Sequence, residues 1–188
     1  MIRSHSDLRE YIESDNKADY PMTLKQKLIS AYGHYPTYTI KRYLKYLRKQ
    51  EYYVNTAKKN IIKRFLAIYY GRKTDRLGNY IGMEIAPNCF EKGLTIYHIG
   101  SVIVNPKARI GENCKLHGAN CIGNNGKTEG VPIIGKNVDI GYGAVIIGNI
   151  EIADDVIIGA NAVVNKSVLI PGSVVVGVPA KVVNEKDR

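Results

Sequence analysis

The C-terminal part of the sequence repeats every six residues. From Val104 it divides into VNPKAR, IGENCK and LHGANC, and after an interruption into IGKNVD, IGYGAV, IIGNIE, IADDVI, IGANAV, VNKSVL, IPGSVV and VGVPAK. Every block opens with Ile, Val or Leu, and most blocks carry a small or β-branched residue at the fifth place. This period matches neither the two-residue alternation of an ordinary strand nor the period of a helix, which is about 3.6 residues.

A six-residue repeat is typical of a parallel β-helix. Each hexad supplies one short strand and one corner. The first residue fills the interior, and the fifth residue has to be small or slender to fit beside it. The sequence therefore predicts a mainly β fold in which the opening Ile, Val or Leu of each block is buried.

The first 80 residues have a different composition. They hold 17 Lys or Arg against 7 Asp or Glu, whereas residues 81–188 hold 10 of each, so the first part carries the whole formal charge of +10. Twelve of the fourteen tyrosines lie there too. The shift predicts a basic helical domain over 1–80, a repeat domain over 81–183 and a short tail over 184–188.

Helix signals support that division. Ser6 is a plausible N-cap, and Thr23 with Gln26 has the spacing of a capping box. Apolar residues recur three and four positions apart in two segments, Ile40, Tyr43, Leu44 and Leu47, then Ile61, Phe65, Ile68 and Tyr69. The basic residues between them could bind nucleic acid, an acidic polymer or a membrane surface, but no nucleic-acid motif accompanies them. We therefore favour a solvated helix face and no nucleic-acid partner.

Other residue types exclude several classes of protein. Cys89, Cys114 and Cys121 lack zinc-site spacing, and their odd number argues against a disulfide framework. No apolar run reaches the roughly 18 residues of a membrane span, and the first residues lack a signal-peptide core. We expect a cytoplasmic protein with no membrane span and no metal site.

Residues 83–183 resemble the catalytic domain of the serine acetyltransferase group, within the hexapeptide-repeat acyltransferases. The segments that carry the resemblance are MEIAPN, GLTIYHIGSVIVNPKARIGENC, IGNNGKTEGVPIIG and GVPAKVV. The group includes polysaccharide O-acetyltransferases. The resemblance implies a left-handed parallel β-helix with three hexads in each coil, acetyl-CoA as the cosubstrate, and active sites between subunits of a homotrimer or a dimer of trimers.

Coils of 18 residues would stack positions 98, 116, 134, 152 and 170, which are His98, Leu116, Ile134, Ile152 and Ile170. His98 is then the polar member of an aliphatic column. A terminal coil can be irregular and expose such a residue, but the resemblance places His98 at the general base. It places Glu84 at the acidic partner, where the family usually has aspartate.

An alcohol is a poor nucleophile, so its attack on a thioester needs a base within hydrogen-bond reach. A neutral imidazole, with a pKa of about 6.5, can serve. A carboxylate on the other ring nitrogen fixes the tautomer. The resemblance implies direct transfer without an acyl-enzyme, and the fifth-place positions of Cys89 and Cys114 favour small interior residues over nucleophiles.

The interruption between Ile122 and Ile134 is rich in glycine, which permits close approach of backbone amides to a ligand. Gly123 and Asn124 are candidates to contact acetyl-CoA, unless this is only a protruding corner loop. Gly143 and Ala160 match small residues that line the coenzyme A groove in the family, although Tyr142 is bulkier than expected. Lys166 and Lys181 either meet coenzyme A phosphates or are surface lysines.

The prediction of the acceptor depends on where this chain differs from the family. Serine acetyltransferases carry an acidic residue just before the histidine and an Arg-His pair late in the loop, where this chain has Tyr97 and Gly130-Val131. We therefore predict a saccharide of surface polysaccharide biosynthesis as the acceptor, bound near Tyr97 and His117. His117 could instead be a solvated corner residue.

Two alternatives stay open. One is serine O-acetylation for cysteine biosynthesis, in which acids of the helical part such as Asp15 or Asp19 could replace the missing charge partners. The other is a non-enzymatic β-helical scaffold. His5 and His34 have no recognisable site context.

Overall fold

The computed structural model describes residues 1–15 and 35–183. Three helices precede the strands, α1 (His5–Asp15), α2 (Pro36–Thr56) and α3 (Ile61–Ile81). The strands are β1 (Met83–Ile85), β2 (Thr95–Ile96), β3 (Val102–Val104), β4 (Arg109–Ile110), β5 (Lys115–Leu116), β6 (Cys121–Gly123), β7 (Ile133–Ile134), β8 (Asp139–Ile140), β9 (Val145–Ile147), β10 (Glu151–Ile152), β11 (Ile157–Ile158), β12 (Val163–Val164), β13 (Val174–Val176) and β14 (Lys181–Val182). The predicted capping box at Thr23, together with Asp19 and His34, lies outside the described residues.

Side-chain caps explain where two helices begin. The Ser4 hydroxyl accepts from the Asp7 N–H at 3.0 Å, and the Asp7 carboxylate accepts from the Ser4 N–H at 3.1 Å. Because α1 starts at His5, the predicted N-cap at Ser6 is wrong, and Ser4 fulfils that role two residues earlier. At α3 the Asn60 side chain accepts from the Lys63 N–H, and Gly82, with φ of 77°, ends the helix in the left-handed conformation.

The strands visit three sheets in turn. Sheet A holds β1, β3, β6, β9 and β12, sheet B holds β4, β7 and β10, and sheet C holds β2, β5, β8, β11, β13 and β14. All pairs are parallel except β13 with β14. A circuit through sheets A, B and C is called a coil below. The parallel sheets and the helical N-terminal part agree with the predicted fold class.

The interior of the coils is filled as the repeat predicts. The first residues of nine hexads are buried, namely Val104, Ile110, Leu116, Ile134, Ile140, Ile146, Ile152, Ile158 and Val164. Small residues at the fifth place are fully buried beside them, among them Ala108, Cys114, Ala144 and Ala162. The same hydrophobic core continues into α2, where Ile40, Tyr43, Leu44 and Leu47 pack against the first coil.

The predicted column is wrong except for the stacking of Ile134 on Ile152. Leu116 stacks between Ile96 and Ile140, and Ile170 is 70% exposed. Three irregularities explain this. The loop after Gly123 adds six residues, so that positions 18 residues apart across it lie in neighbouring sheets rather than in the same sheet. Two extra residues between β2 and β3 place His98 on a corner. In the last coil the turn is shorter, so that Val168 and Val175, rather than Ile170 and Val176, are buried.

A buried charge cluster joins the helices to the first coil. The Arg48 guanidinium contacts Asp15 at 2.7 Å and Glu51 at 3.0 Å, and it donates to the carbonyl oxygens of Phe90 and Glu91, both at 2.8 Å. Burial raises the pKa of Glu51, although Arg48 opposes the rise.

Asp15 is committed to this cluster. One of its carboxylate oxygens also accepts from the N–H groups of Gly93 and Leu94, both at 2.9 Å. The suggestion that Asp15 could bind an acceptor amino acid is therefore wrong. No helix in the described ranges is long and apolar enough to cross a membrane.

Candidate active site

His98 lies in the turn between β2 and β3, at the corner where sheet C leads into sheet A. It is exposed, as is Tyr97 before it. In the next coil the corresponding corner holds Gly118, where a Cβ would lie 3.4 Å from the His98 Cβ and 3.3 Å from the Tyr142 ring. Gly118 therefore leaves space between the imidazole and Tyr142. The row of corner residues His98, Gly118, Tyr142, Gly143 and Ala160 is called the C–A edge.

The buried amide of Asn120 supports this edge. Its Oδ1 accepts from the Gly118 N–H at 3.0 Å, and its Nδ2 donates to the Gly141 carbonyl oxygen at 2.8 Å. Its burial is thus compensated by hydrogen bonds to two successive coils. The turn below His98 is consequently held by the coil interior.

Four side chains on the outer side of sheet C form the acceptor cluster, Tyr97, Lys115, His117 and Asp139. The His117 Nε2 lies 2.8 Å from the Asp139 Oδ1, and the Lys115 Nζ lies 3.4 Å from the Asp139 Oδ2. The rings of Tyr97 and His117 have centroids 4.7 Å apart. Since a carboxylate accepts, the neutral imidazole carries its proton on Nε2, which leaves Nδ1 as a hydrogen-bond acceptor.

Glu84 lies on the outer side of β1, paired in register with Ile103 of β3. In the described part of the chain it makes no hydrogen bond to His98. Glu84 as the partner of His98 therefore stays a prediction.

The glycine-containing loop leaves the coil at a different corner, where sheet A leads into sheet B. Residues 124–129 are exposed. The Asn125 side-chain oxygen accepts from the N–H groups of Lys127 and Thr128, both at 3.0 Å, and Lys107 pairs with Glu129 at 2.7 Å. These contacts give the loop a defined shape. We call this corner the A–B edge.

The predicted cosubstrate residues divide between the two edges. Gly143 and Ala160 lie on the C–A edge with His98, whereas Gly123, Asn124 and Lys166 lie on the A–B edge. Lys181 is in β14, paired with Val176 at the last coil. One chain therefore does not bring all of them together.

Two of the three cysteines are poor candidates for a nucleophile. Cys89 and Cys114 are buried in the coil interior. Burial raises the pKa of the Cys89 thiol to about 11 and also raises the pKa of Cys114. A nucleophilic thiolate is scarce at neutral pH under these conditions. No group of three or more His, Cys, Asp or Glu suited to a metal ion occurs among residues 1–15 and 35–183.

Sequence reasoning did not identify Lys115, Asp139 or Gly118. A strict coil of 18 residues places position 135, a glycine, below His117. The six extra residues of the loop instead place Asp139 below Lys115, and from there its carboxylate reaches His117. Adding the length of the interruption to the period would have found this carboxylate.

Solved structures show what the chain is similar to. A serine acetyltransferase of Brucella abortus strain S19 shares 22% identity, covering 96% of this chain and 68% of that one, with a TM-score of 0.67. The soybean apoenzyme and the Neisseria gonorrhoeae enzyme each share 27% identity over 95% of this chain and 68% of theirs, with TM-scores of 0.66 and 0.67. No protein-family model matches the sequence, and a search of curated proteins found no match. The structural matches confirm the predicted resemblance to serine acetyltransferase-like hexapeptide-repeat acyltransferases and, with it, the acyltransferase class.

Proposed function

We propose that the chain is an acetyl-CoA-dependent O-acetyltransferase, built on a left-handed parallel β-helix, and that its acceptor is L-serine. The structural neighbours are serine acetyltransferases, two of them at 27% identity. They support acetyl transfer and favour serine over the saccharide that the sequence suggested. A saccharide of surface polysaccharide biosynthesis is therefore the second candidate.

The acceptor cluster carries the serine proposal. A zwitterionic amino acid needs partners for its carboxylate and its ammonium group, because unpaired charges in a closed site are costly. Lys115 and Asp139 supply one charge of each sign, and their side chains are 46% and 29% exposed. Tyr97, Gly130 and Val131 replace the charged residues of the family and cannot pair with the charges of an amino acid. Lys115 and Asp139 would provide that pairing instead.

The chemistry follows from an exposed imidazole next to this cluster. His98 accepts the proton of the acceptor hydroxyl while the hydroxyl oxygen attacks the acetyl carbonyl carbon of the thioester. The tetrahedral intermediate then breaks its carbon–sulfur bond, and the departing thiolate takes the proton from His98. Glu84 would hold the imidazole in position, and a loop backbone N–H would stabilise the oxyanion.

The division of the cosubstrate residues supports a shared site. If the C–A edge of one subunit faces the A–B edge of another, then His98, Gly143 and Ala160 come together with Gly123, Asn124 and Lys166. Closed rings are the usual way for such unlike surfaces to pair. We propose a homotrimer or a dimer of trimers on this basis.

One observation favours the saccharide as the second candidate. The Tyr97 and His117 rings lie next to each other and are partly exposed. Adjacent aromatic rings offer an apolar surface on which a sugar ring can pack.

Mass spectrometry of reaction products tests the proposal. The protein is incubated with acetyl-CoA and either L-serine or a panel of nucleotide sugars and glycans. We expect O-acetylserine together with free coenzyme A. Transfer to a glycan with none to serine would replace the acceptor but keep the reaction class. No binding of acetyl-CoA and no transfer to any acceptor would contradict the proposal and restore the scaffold alternative.

A further inference from the structure

The outward side of α3 carries apolar residues that the fold does not use. Ile61, Ile62, Phe65, Ile68 and Tyr69 are between 51% and 67% exposed. Their spacing places them on one face over the first turns of the helix. We call this group the α3 outer face.

The packing side of α3 is separate from this face. Gly71, Thr74, Gly78 and Ile81 are buried on the opposite side. The two glycines allow close contact, since a Cβ at Gly71 would lie 3.1 Å from the Gln50 side chain and one at Gly78 would lie 3.2 Å from the Tyr43 ring. The helix is therefore held in place without the α3 outer face.

The surroundings of this face are strongly basic. Residues 57–74 contain six Lys or Arg and no Asp or Glu, and the basic residues are Lys58, Lys59, Lys63, Arg64, Arg72 and Lys73. None of the six forms a salt bridge with a described residue. The Lys73 ammonium lies 5.3 Å from the centre of the Tyr69 ring, so charge and apolar surface are contiguous.

We propose that the α3 outer face binds the surface of an anionic lipid membrane. An interfacial helix combines aliphatic and aromatic side chains, which enter the boundary between headgroups and acyl chains, with Lys and Arg that meet the lipid phosphates. The α3 outer face and its six cations have both parts. The proposal rests on this surface alone and does not depend on the acceptor.

Two other occupants fit the surface less well. A second copy of the chain that paired through this same face would bring six further cations against these six, and like charges across an interface oppose association. RNA phosphates would pair with the cations. Three of the five exposed residues are isoleucines, however, and they offer no aromatic ring on which a base could stack. A lipid surface alone uses both the charge and the apolar side chains.

Sedimentation with extruded vesicles tests the proposal. One vesicle preparation is phosphatidylcholine alone, and the other contains about a third phosphatidylglycerol. We expect the full chain to bind the anionic vesicles at least about tenfold more tightly, and the binding to weaken as salt is raised. The Ile62→Ser/Phe65→Ser and Arg64→Gln/Arg72→Gln variants should each lose about tenfold in binding, because Arg64 and Arg72 are exposed.

Matched controls use exposed residues of the coils. Leu169→Ser, at a position 66% exposed, and Lys136→Gln should leave vesicle binding unchanged. Equal binding to both vesicle types, or equal losses in the controls, would overturn the proposal. So would a result in which Ile62→Ser/Phe65→Ser changes only the oligomer size in size-exclusion chromatography, or in which the wild type prefers a single-stranded RNA to the vesicles. The vesicle measurement on the wild type decides the question even if a variant folds poorly.

Discussion

His98 stands out at the residue scale because nothing in the fold requires an imidazole there. It lies on an exposed corner, and the glycine below it keeps that corner open. We predict that His98→Ala lowers turnover by about 10²- to 10⁴-fold, the usual contribution of a general base. Steady-state kinetics with acetyl-CoA measure this.

The control for that substitution is His5→Ala, because His5 packs against Tyr52 in the helical part, away from the C–A edge. The turnover of His5→Ala should stay within a few-fold of that of the wild type. The acetyl-CoA affinity of His98→Ala should also stay within a few-fold of the wild-type value. Near-normal transfer by His98→Ala to its acceptor would show that the proposed mechanism is wrong.

Asp139 is predicted to have two roles, pairing with the ammonium group of the acceptor and positioning His117, whose Nε2 lies 2.8 Å from its Oδ1. Without its carboxylate the imidazole loses the bond that fixes its tautomer, and we expect Asp139→Asn to raise the acceptor KM about tenfold while the acetyl-CoA KM stays constant. In a His117→Ala background, Asp139→Asn should have a smaller effect, because its contact with His117 is already gone and only its pairing with the acceptor remains to be lost.

Glu151→Gln is the matched control, since Glu151 is an outward carboxylate on a two-residue strand of sheet B. Asp139→Glu should recover part of the acceptor affinity. Additive effects of Asp139→Asn and His117→Ala would count against coupling between the two side chains and would leave Asp139 only its direct pairing with the acceptor.

The site could be predicted in part from sequence because its members lie on local motifs. His98 and Tyr97 lie on one short segment that carries the resemblance, so the wrong coil register did not affect their choice as candidates. Asp139 joins them only through the pairing of β5 with β8, which spans the loop with its six extra residues. Such non-local contacts cannot be derived from hexad spacing alone.

At the scale of the elements, the buried Arg48 cluster connects α1 and α2 to the first coil. Arg48 is fully buried between Asp15 and Glu51. We predict that Arg48→Met lowers the free energy of unfolding by about 3 to 5 kcal/mol, because it leaves two carboxylates buried without their partner. Urea denaturation followed by circular dichroism measures the loss.

Lys92→Met provides the comparison. Lys92 pairs with Glu10 at 2.6 Å, but the pair is partly exposed, so its loss should lower the free energy of unfolding far less than Arg48→Met does. Equal losses for Arg48→Met and Lys92→Met would mean that the cluster adds no special stability to the junction.

The elements themselves were largely predictable, for a physical reason. Each hexad must bury its first residue, so the interior positions follow directly from the repeat, and α2 follows from its apolar spacing. The predicted interior column failed at His98 and Ile170, because the coils there have more or fewer residues between strands than the regular repeat. The spacing of Ile61, Phe65, Ile68 and Tyr69 predicted α3, but periodicity alone did not reveal that this face is exposed rather than packed.

At the scale of the whole molecule, the proposed site draws on two edges that lie apart on one chain, and we therefore expect it to need more than one chain. We predict a homotrimer or a dimer of trimers at micromolar concentration. Multi-angle light scattering should give about three or six times the 20.9 kDa chain mass. A stable monomer with full activity would rule out a shared site.

The central claim is that acetyl transfer occurs where the C–A edge of one subunit meets the A–B edge of another, and complementation between two inactive variants tests it most directly. His98→Ala removes the base from one edge, and deletion of residues 124–129 removes the loop from the other. Each variant alone should be nearly inactive. Mixed subunits, dissociated and reassembled together, should recover about a quarter of wild-type activity, because half of the C–A edges and half of the A–B edges are intact. Mixed assemblies no more active than the separately reassembled variants would contradict the account.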